Sequence, residues 1–177
     1  MKSVIFRVDS SLEIGTGHLY RCLNLARAFS SSNLNIVFVC RTHNGNLIDL
    51  IKNEFQVLTL GEKNINKVES SPYLHWLGCS QVEDAEDTFK ILEENNIKPS
   101  FLIIDHYGID EEWEYFLIKK YSKQNNFKVV VIDDLYNRNH ICDFLLDQNI
   151  IKKDNPYLSK TTKRTNYILG PYFAILS

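Results

Sequence analysis

The chain has 177 residues, 44% of them hydrophobic and 24% charged, with a formal net charge of −2. That is enough chain for one domain with a real core. Mixed acids and bases leave no broad basic field for nucleic acid or an anionic membrane, and no apolar run reaches the roughly 20 residues that span a bilayer. The apolar run of "MKSVIFRVD" is broken at Arg7 and Asp9, unlike a secretory signal, so a cytoplasmic protein is expected. The four cysteines, Cys22, Cys40, Cys79 and Cys142, lie far apart with no C-x-x-C pair or zinc spacing and read as reduced thiols.

In chain order, strand signals fall at 3–9, 35–40, 56–60, 100–105 and 128–133, with weaker ones at 142–148 and 166–170. Runs such as "VVVI" are apolar on both faces, as buried parallel strands are. Between them, residues 17–31 place Leu19, Cys22, Leu23, Leu25, Ala26 and Phe29 at mostly three- and four-residue spacing, an amphipathic helical face. A second helix is expected over 46–55. A third, over 80–96, opens with the Ser80/Glu83 spacing of a capping box, and a fourth over 110–126 has Asp110 as cap. Strands alternating with helices imply a parallel sheet of right-handed β-α-β units. Residues 150–166 read as a polar surface connection, and 63–78 as a long loop that is a candidate for lining a cleft.

In such sheets, ligands bind beyond the carboxyl ends of the strands, and polar residues gather there. Asp9 and the Gly15-Thr16-Gly17-His18 loop follow the first strand, and Arg41 and His43 the second. Asp105, His106, Tyr107 and Gly108 follow the fourth; Asp133, Asp134, Asn137, Arg138 and His140 follow the fifth. Gly15 and Gly17 permit positive φ and close approach of a ligand, and the helix start after them offers open N–H groups. Tyr20 stands where a dinucleotide fingerprint needs its third glycine, and no G-K-[ST] follows for a P-loop. The helix dipole disfavours a cationic His18, which marks it as a candidate base for activating water, against the plainer alternative of a packed or capping histidine. Tyr107 is a candidate donor to a sugar or leaving group. Asp133 and Asp134 are neighbours whose side chains are expected on opposite faces, a poor metal pair.

Five stretches, "FRVDSSLEIGTGHLYRCLNLA", "WLGCSQVEDAEDT", "IIDHYGID", "VIDDLYNRNHICDFLLDQN" and "LGPYFAIL", run from Phe6 to Leu176 in one order. Together they resemble the N-terminal half of the UDP-2,4-diacetamido-2,4,6-trideoxy-β-L-altropyranose hydrolases, nucleotide-sugar hydrolases of pseudaminic acid biosynthesis related to spore-coat polysaccharide proteins. The resemblance implies an α/β fold: a Rossmann-like parallel sheet with helices on both faces, one half of a GT-B-like architecture. It implies hydrolysis of a UDP-sugar without a metal or other cofactor. His18 would be the base, Tyr107 would touch the substrate near the reacting centre, and Arg7, Asp9, Gly15, Gly17, Arg21, Asp105 and His106 would shape the sugar side. Residues 1–177 are expected to be a single Rossmann-like domain, with a linker beginning near 170–177. The nucleotide-binding half would come from a C-terminal domain or a partner subunit that completes the cleft. The same residues leave two other readings open: half of a GT-B glycosyltransferase, and a non-catalytic module for a sugar nucleotide or a partner.

Overall fold

A computed structural model describes residues 1–66, 72–124, 126–151 and 154–175. Parts of the 63–78 loop, the 150–166 connection and the expected linker lie outside the described residues.

Valine, isoleucine and phenylalanine runs form the strands where the sequence places them: β1 (Lys2–Val8), β2 (Leu34–Arg41), β3 (Gln56–Leu60), β4 (Pro99–Asp105), β5 (Lys128–Ile132), β6 (Phe144–Asp147) and β7 (Asn166–Leu169). They join one sheet in the order β3-β2-β1-β4-β5-β6-β7, parallel throughout. Both weaker candidates, β6 and β7, extend its far edge. The order reverses between β1 and β4, which pair from Ser3 to Asp105, and this is the switch point where a doubly wound sheet opens a crevice.

Helices cover both faces. Between β1 and β2 runs α1 (Gly17–Ser30), and between β2 and β3 runs α2 (Ile48–Lys52). Both pack on one face, where Leu19, Cys22, Leu23 and Ala26 meet Phe6 and Phe38, whose rings stack at 4.8 Å. The opposite face takes α3 (Gln81–Glu94) and α4 (Glu111–Lys120), with Leu92, Trp113 and Leu117 against Ile5, Leu102 and Val131. Burying each such side chain contributes about 1.5–3 kcal/mol.

The caps show where local signals suffice. The Glu112 amide donates to Asp110 Oδ1 at 3.0 Å, the expected cap of α4. At α3 the Glu83 amide donates to Ser80 Oγ at 3.2 Å, but the Glu83 carboxylate reaches Lys63 instead of returning to Ser80. Only half of the capping box forms, because a nearby ammonium offers a charged partner. The second helix is shorter than its apolar pattern, since residues 43–46 close a turn in which the Asn46 side chain donates to the His43 carbonyl at 2.6 Å and accepts from the Ile48 amide at 3.1 Å. The 150–166 connection needs correction, because Tyr157 within it is wholly buried and its hydroxyl donates to the Asp133 carbonyl at 2.8 Å. That stretch pins the end of β5 from below.

Candidate active site

The site is built at the switch point. From β1 the chain runs through Asp9 and Ser10 into a tight turn, in which the Ile14 amide donates to Ser11 Oγ at 2.9 Å and the Gly15 amide to the Ser11 carbonyl at 2.9 Å. Gly15 sits at φ +77°, where a side chain is strained. Gly17 does not share that requirement. It opens α1 with helical backbone and free space where a Cβ would point, so of the two glycines Gly15 uses the freedom of positive φ and Gly17 offers close approach. Thr16 gives α1 no side-chain cap, which leaves first-turn N–H groups toward the open edge.

This geometry sets His18 against the end of β4. Its Nδ1 lies 2.6 Å from Asp105 Oδ1. One turn on, Arg21 grips the same carboxylate with Nε to Oδ2 and Nη2 to Oδ1, each at 2.7 Å. Asp105 is fully buried. Burial alone would push its carboxyl up, but the hydrogen bonds from His18 and Arg21 outweigh it and hold the group below the usual carboxylate range. An ionised carboxylate only accepts, so the imidazole proton that meets it is on Nδ1. Nε2 is left for the cleft that His18 lines. A carboxylate that orients an imidazole in this way fixes its tautomer and aim.

Tyr107 forms the opposing wall. Its ring stands edge-on to His18 at 4.4 Å and stacks on Trp76 at 5.8 Å, and the Arg138 guanidinium lies 5.3 Å from its centre. Its hydroxyl donates to Asp134. Burial, and then this carboxylate, push the phenol well above its ordinary range, so it stays protonated with its proton directed to Asp134. That alters the expectation of Tyr107 as a donor to the sugar: as placed here, the oxygen offers lone pairs to the cleft. The cleft encloses about 500 Å³ and is lined by Gly15, His18, Arg21, Tyr107, Asp134 and Gln148 among others.

Arg7, Asp9 and His106 are placed elsewhere than the cleft surface. All three are buried. Arg7 donates to Asp84 from Nε at 3.0 Å and Nη2 at 2.8 Å, and from Nη1 to Asp9. Arg41 reaches Asp84 from the next strand with Nε at 3.1 Å and Nη2 at 2.7 Å, and its amide donates to Asp9 Oδ1 at 2.7 Å. The Gly108 amide donates to His106 Nδ1 at 3.0 Å, which puts the His106 proton on Nε2, 3.3 Å from Asp9 Oδ2. Burial holds the His106 imidazole below its ordinary pKa. These residues therefore act beneath the site, tying the ends of β1, β2 and β4 to α3, while His18, Arg21 and Tyr107 come together around the cleft with Gly15 and Gly17 on its rim, and Asp105 lies buried behind His18 and Arg21. Of the other edge residues, His140 turns away to a buried pair with Glu114 at 2.6 Å, and Asp133 is buried beside Arg138. Asp134 alone of that adjacent pair reaches the cleft.

Two residues stand outside the edge set read from sequence: Asp84 and Trp76. Asp84 and Trp76 lie within "WLGCSQVEDAEDT", but their partners are far along the chain. All four cysteines are buried and unpaired. Among the described residues there is no group of three or more His, Cys, Asp or Glu fit to hold a metal ion, and no helix is long and apolar enough to cross a membrane.

No protein-family model matches the chain. A UDP-2,4-diacetamido-2,4,6-trideoxy-beta-L-altropyranose hydrolase of Campylobacter jejuni is 30% identical over 154 residues, 87% of this chain and 44% of that protein. Over the stretch that this match covers, the chain is similar to that hydrolase. An uncharacterized protein of Methanocaldococcus jannaschii is 26% identical over 172 residues, which is 95% of this chain and 29% of that protein. The chain thus spans less than half the length of either relative. In three dimensions it resembles MurG of Acinetobacter baumannii, with a TM-score of 0.51 over 84% of this chain and 41% of that one, at 7% identity. That likeness concerns the fold alone: a Rossmann-like sheet of the kind that makes up one half of a GT-B protein.

Proposed function

We propose that the chain is the sugar-binding, water-activating half of a cytoplasmic nucleotide-sugar hydrolase. Its substrate would be a UDP-linked 2,4-diacetamido-2,4,6-trideoxy sugar, hydrolysed to UDP and the free sugar for pseudaminic acid biosynthesis. The observation that carries this reading is the Asp105–His18 pair at 2.6 Å on the rim of an open cleft, together with the relationship to the Campylobacter hydrolase. In the proposed step Nε2 of His18 accepts a proton from water. The water oxygen bonds to the anomeric carbon as the C–O bond to the diphosphate breaks, and UDP leaves with the electron pair. A nucleoside diphosphate is already a good leaving group, so positioning and a base are the main needs. Arg21 serves by holding Asp105, and Tyr107 walls the sugar side. Nucleotide binding would fall to a second domain or a partner subunit closing over this edge.

The test is UDP release by the complete enzyme with His18 intact or changed to Ala. A fall of about 10²–10⁴-fold is expected for loss of a general base; equal rates would remove His18 from that role. The product decides against a transferase: free sugar must accumulate when an acceptor alcohol is present, whereas a glycosylated acceptor would replace the hydrolase reading.

A further inference from the structure

Beside the His18 cleft lies a second pocket of about 240 Å³, with Ser11, Leu12, Ile14, Asn44, Asn64 and Trp76 in its wall. Three separate chain segments build it. The Leu12 amide donates to the Asn44 carbonyl at 3.1 Å, joining the turn after β1 to the turn after β2. His75 Nε2 meets Glu13 Oε1 at 2.9 Å, joining the 3-10 turn at Leu74–Leu77 to the same place. Gly45, at φ +74°, lets the backbone approach Leu12 so closely that a Cβ there would lie 2.6 Å from Leu12 Cγ. These contacts fix the three segments that make the pocket's walls.

Its position and chemistry point to one occupant. Ile14 lines both this pocket and the His18 cleft, and the ring of Trp76 is 6.3 Å from that of His18. A pyranose whose reacting carbon faced His18 would direct a ring substituent past these two side chains. Among the described residues no lysine or arginine lines the pocket; its titratable lining is Glu13, His43 and His75, with Glu13 already paired to His75 at 2.9 Å, so nothing in it singles out a phosphate. Beside Ser11, Glu13 and the two histidines, the walls hold an indole, two aliphatic side chains and two primary amides, and each amide offers both a donor and an acceptor. An acetamido group has the matching parts: a methyl, a carbonyl and an N–H, without charge.

We propose that this pocket is the subsite for an acetamido substituent of the sugar, an inference that rests on the nucleotide-sugar reading above. Asn44 and Asn64 would exchange hydrogen bonds with the amide, and Trp76 would cover the methyl. The test uses the full chain and two free sugars: 2,4-diacetamido-2,4,6-trideoxyhexose and the 6-deoxyhexose with hydroxyls at both positions. Titrations followed by ¹⁵N NMR read the side-chain amides of Asn44 and Asn64 and the indole of Trp76. The acetamido sugar is expected to bind at least about tenfold tighter, the worth of roughly two neutral hydrogen bonds, and to shift those three signals. The double variant Asn44→Ala/Asn64→Ala alters two exposed residues; it should keep its melting temperature and lose the preference. A preference that survives the double variant, no preference in the wild type, or no binding of either sugar would overturn the subsite. His18→Ala separates the two readings: it should lose UDP release in the complete enzyme and keep the acetamido preference. Undiminished release with the preference intact would remove the base and leave the subsite standing.

Discussion

Asp84→Asn is the sharpest probe of the buried network under the site. Asp84 is wholly buried and accepts five hydrogen bonds. Its Oδ1 takes Arg7 Nε at 3.0 Å and Trp113 Nε1 at 2.9 Å. Its Oδ2 takes Arg7 Nη2 at 2.8 Å and both Arg41 Nε and Nη2, at 3.1 and 2.7 Å. Asparagine has nearly the same shape but replaces one oxygen with a donor. If the amide nitrogen replaces Oδ1, two donors lose their acceptor; if it replaces Oδ2, three do. Each orphaned buried donor costs about 1–3 kcal/mol, and one carboxylate fewer beside two buried guanidiniums lies in the range of about 3–5 kcal/mol for a broken buried pair. The expected loss is therefore about 3–5 kcal/mol, or a melting temperature lower by roughly 6–20 °C for a domain of this size. Thermal and urea unfolding followed by circular dichroism measure it. A loss below about 1 kcal/mol would mean that the guanidiniums re-pair or hydrate at little cost, and the network would not be what fastens α3 to the strand ends.

Other outcomes follow from the same geometry. Gly78→Ala should destabilise by more than about 2 kcal/mol in urea unfolding, because Gly78 is at φ +72° and a Cβ would lie 2.1 Å from the Lys63 carbonyl oxygen. Tyr107→Phe should leave the melting temperature within about 3 °C, since Asp134 is partly exposed and the ring contacts persist. In the complete enzyme the same change should lower kcat/KM about tenfold by removing the hydroxyl that Asp134 orients at the cleft wall, while Asp134 keeps Arg21 at 3.7 Å. Asp9, Asp84 and Asp105 are all held below the ordinary carboxylate range. Their contribution to stability is thus present above the unfolded carboxyl pKa and lost as the pH falls through the folded values. Melting temperature should be level above about pH 5 and drop below about pH 4; a chain equally stable at pH 3 and pH 6 would contradict those shifts.

Periodicity and cap residues were enough to read the elements, because each signal is local. Apolar β-branched runs specify strands buried on both faces, and Asp110 caps its own helix. Alternation then implies a parallel sheet, and that alone places Asp9, the Gly15 turn, Asp105 and Tyr107 at one edge. The sequence also put His18 at a helix start beside that edge. It did not tell which edge residues face the cleft. Arg7, Asp9 and His106 share the edge with His18, yet they are buried, because Asp84 and Arg41 arrive from α3 and β2 to complete their charges. Asp133 and Asp134 are adjacent in sequence, and only the packing of Arg138 and Tyr107 assigns one to the interior and the other to the cleft. The tautomer of His18 depends on Asp105, 87 residues away, and the direction of the Tyr107 proton depends on Asp134, 27 residues away. Local patterns determine where a side chain leaves the backbone; which groups it meets there is decided by strands and helices brought together across the whole chain.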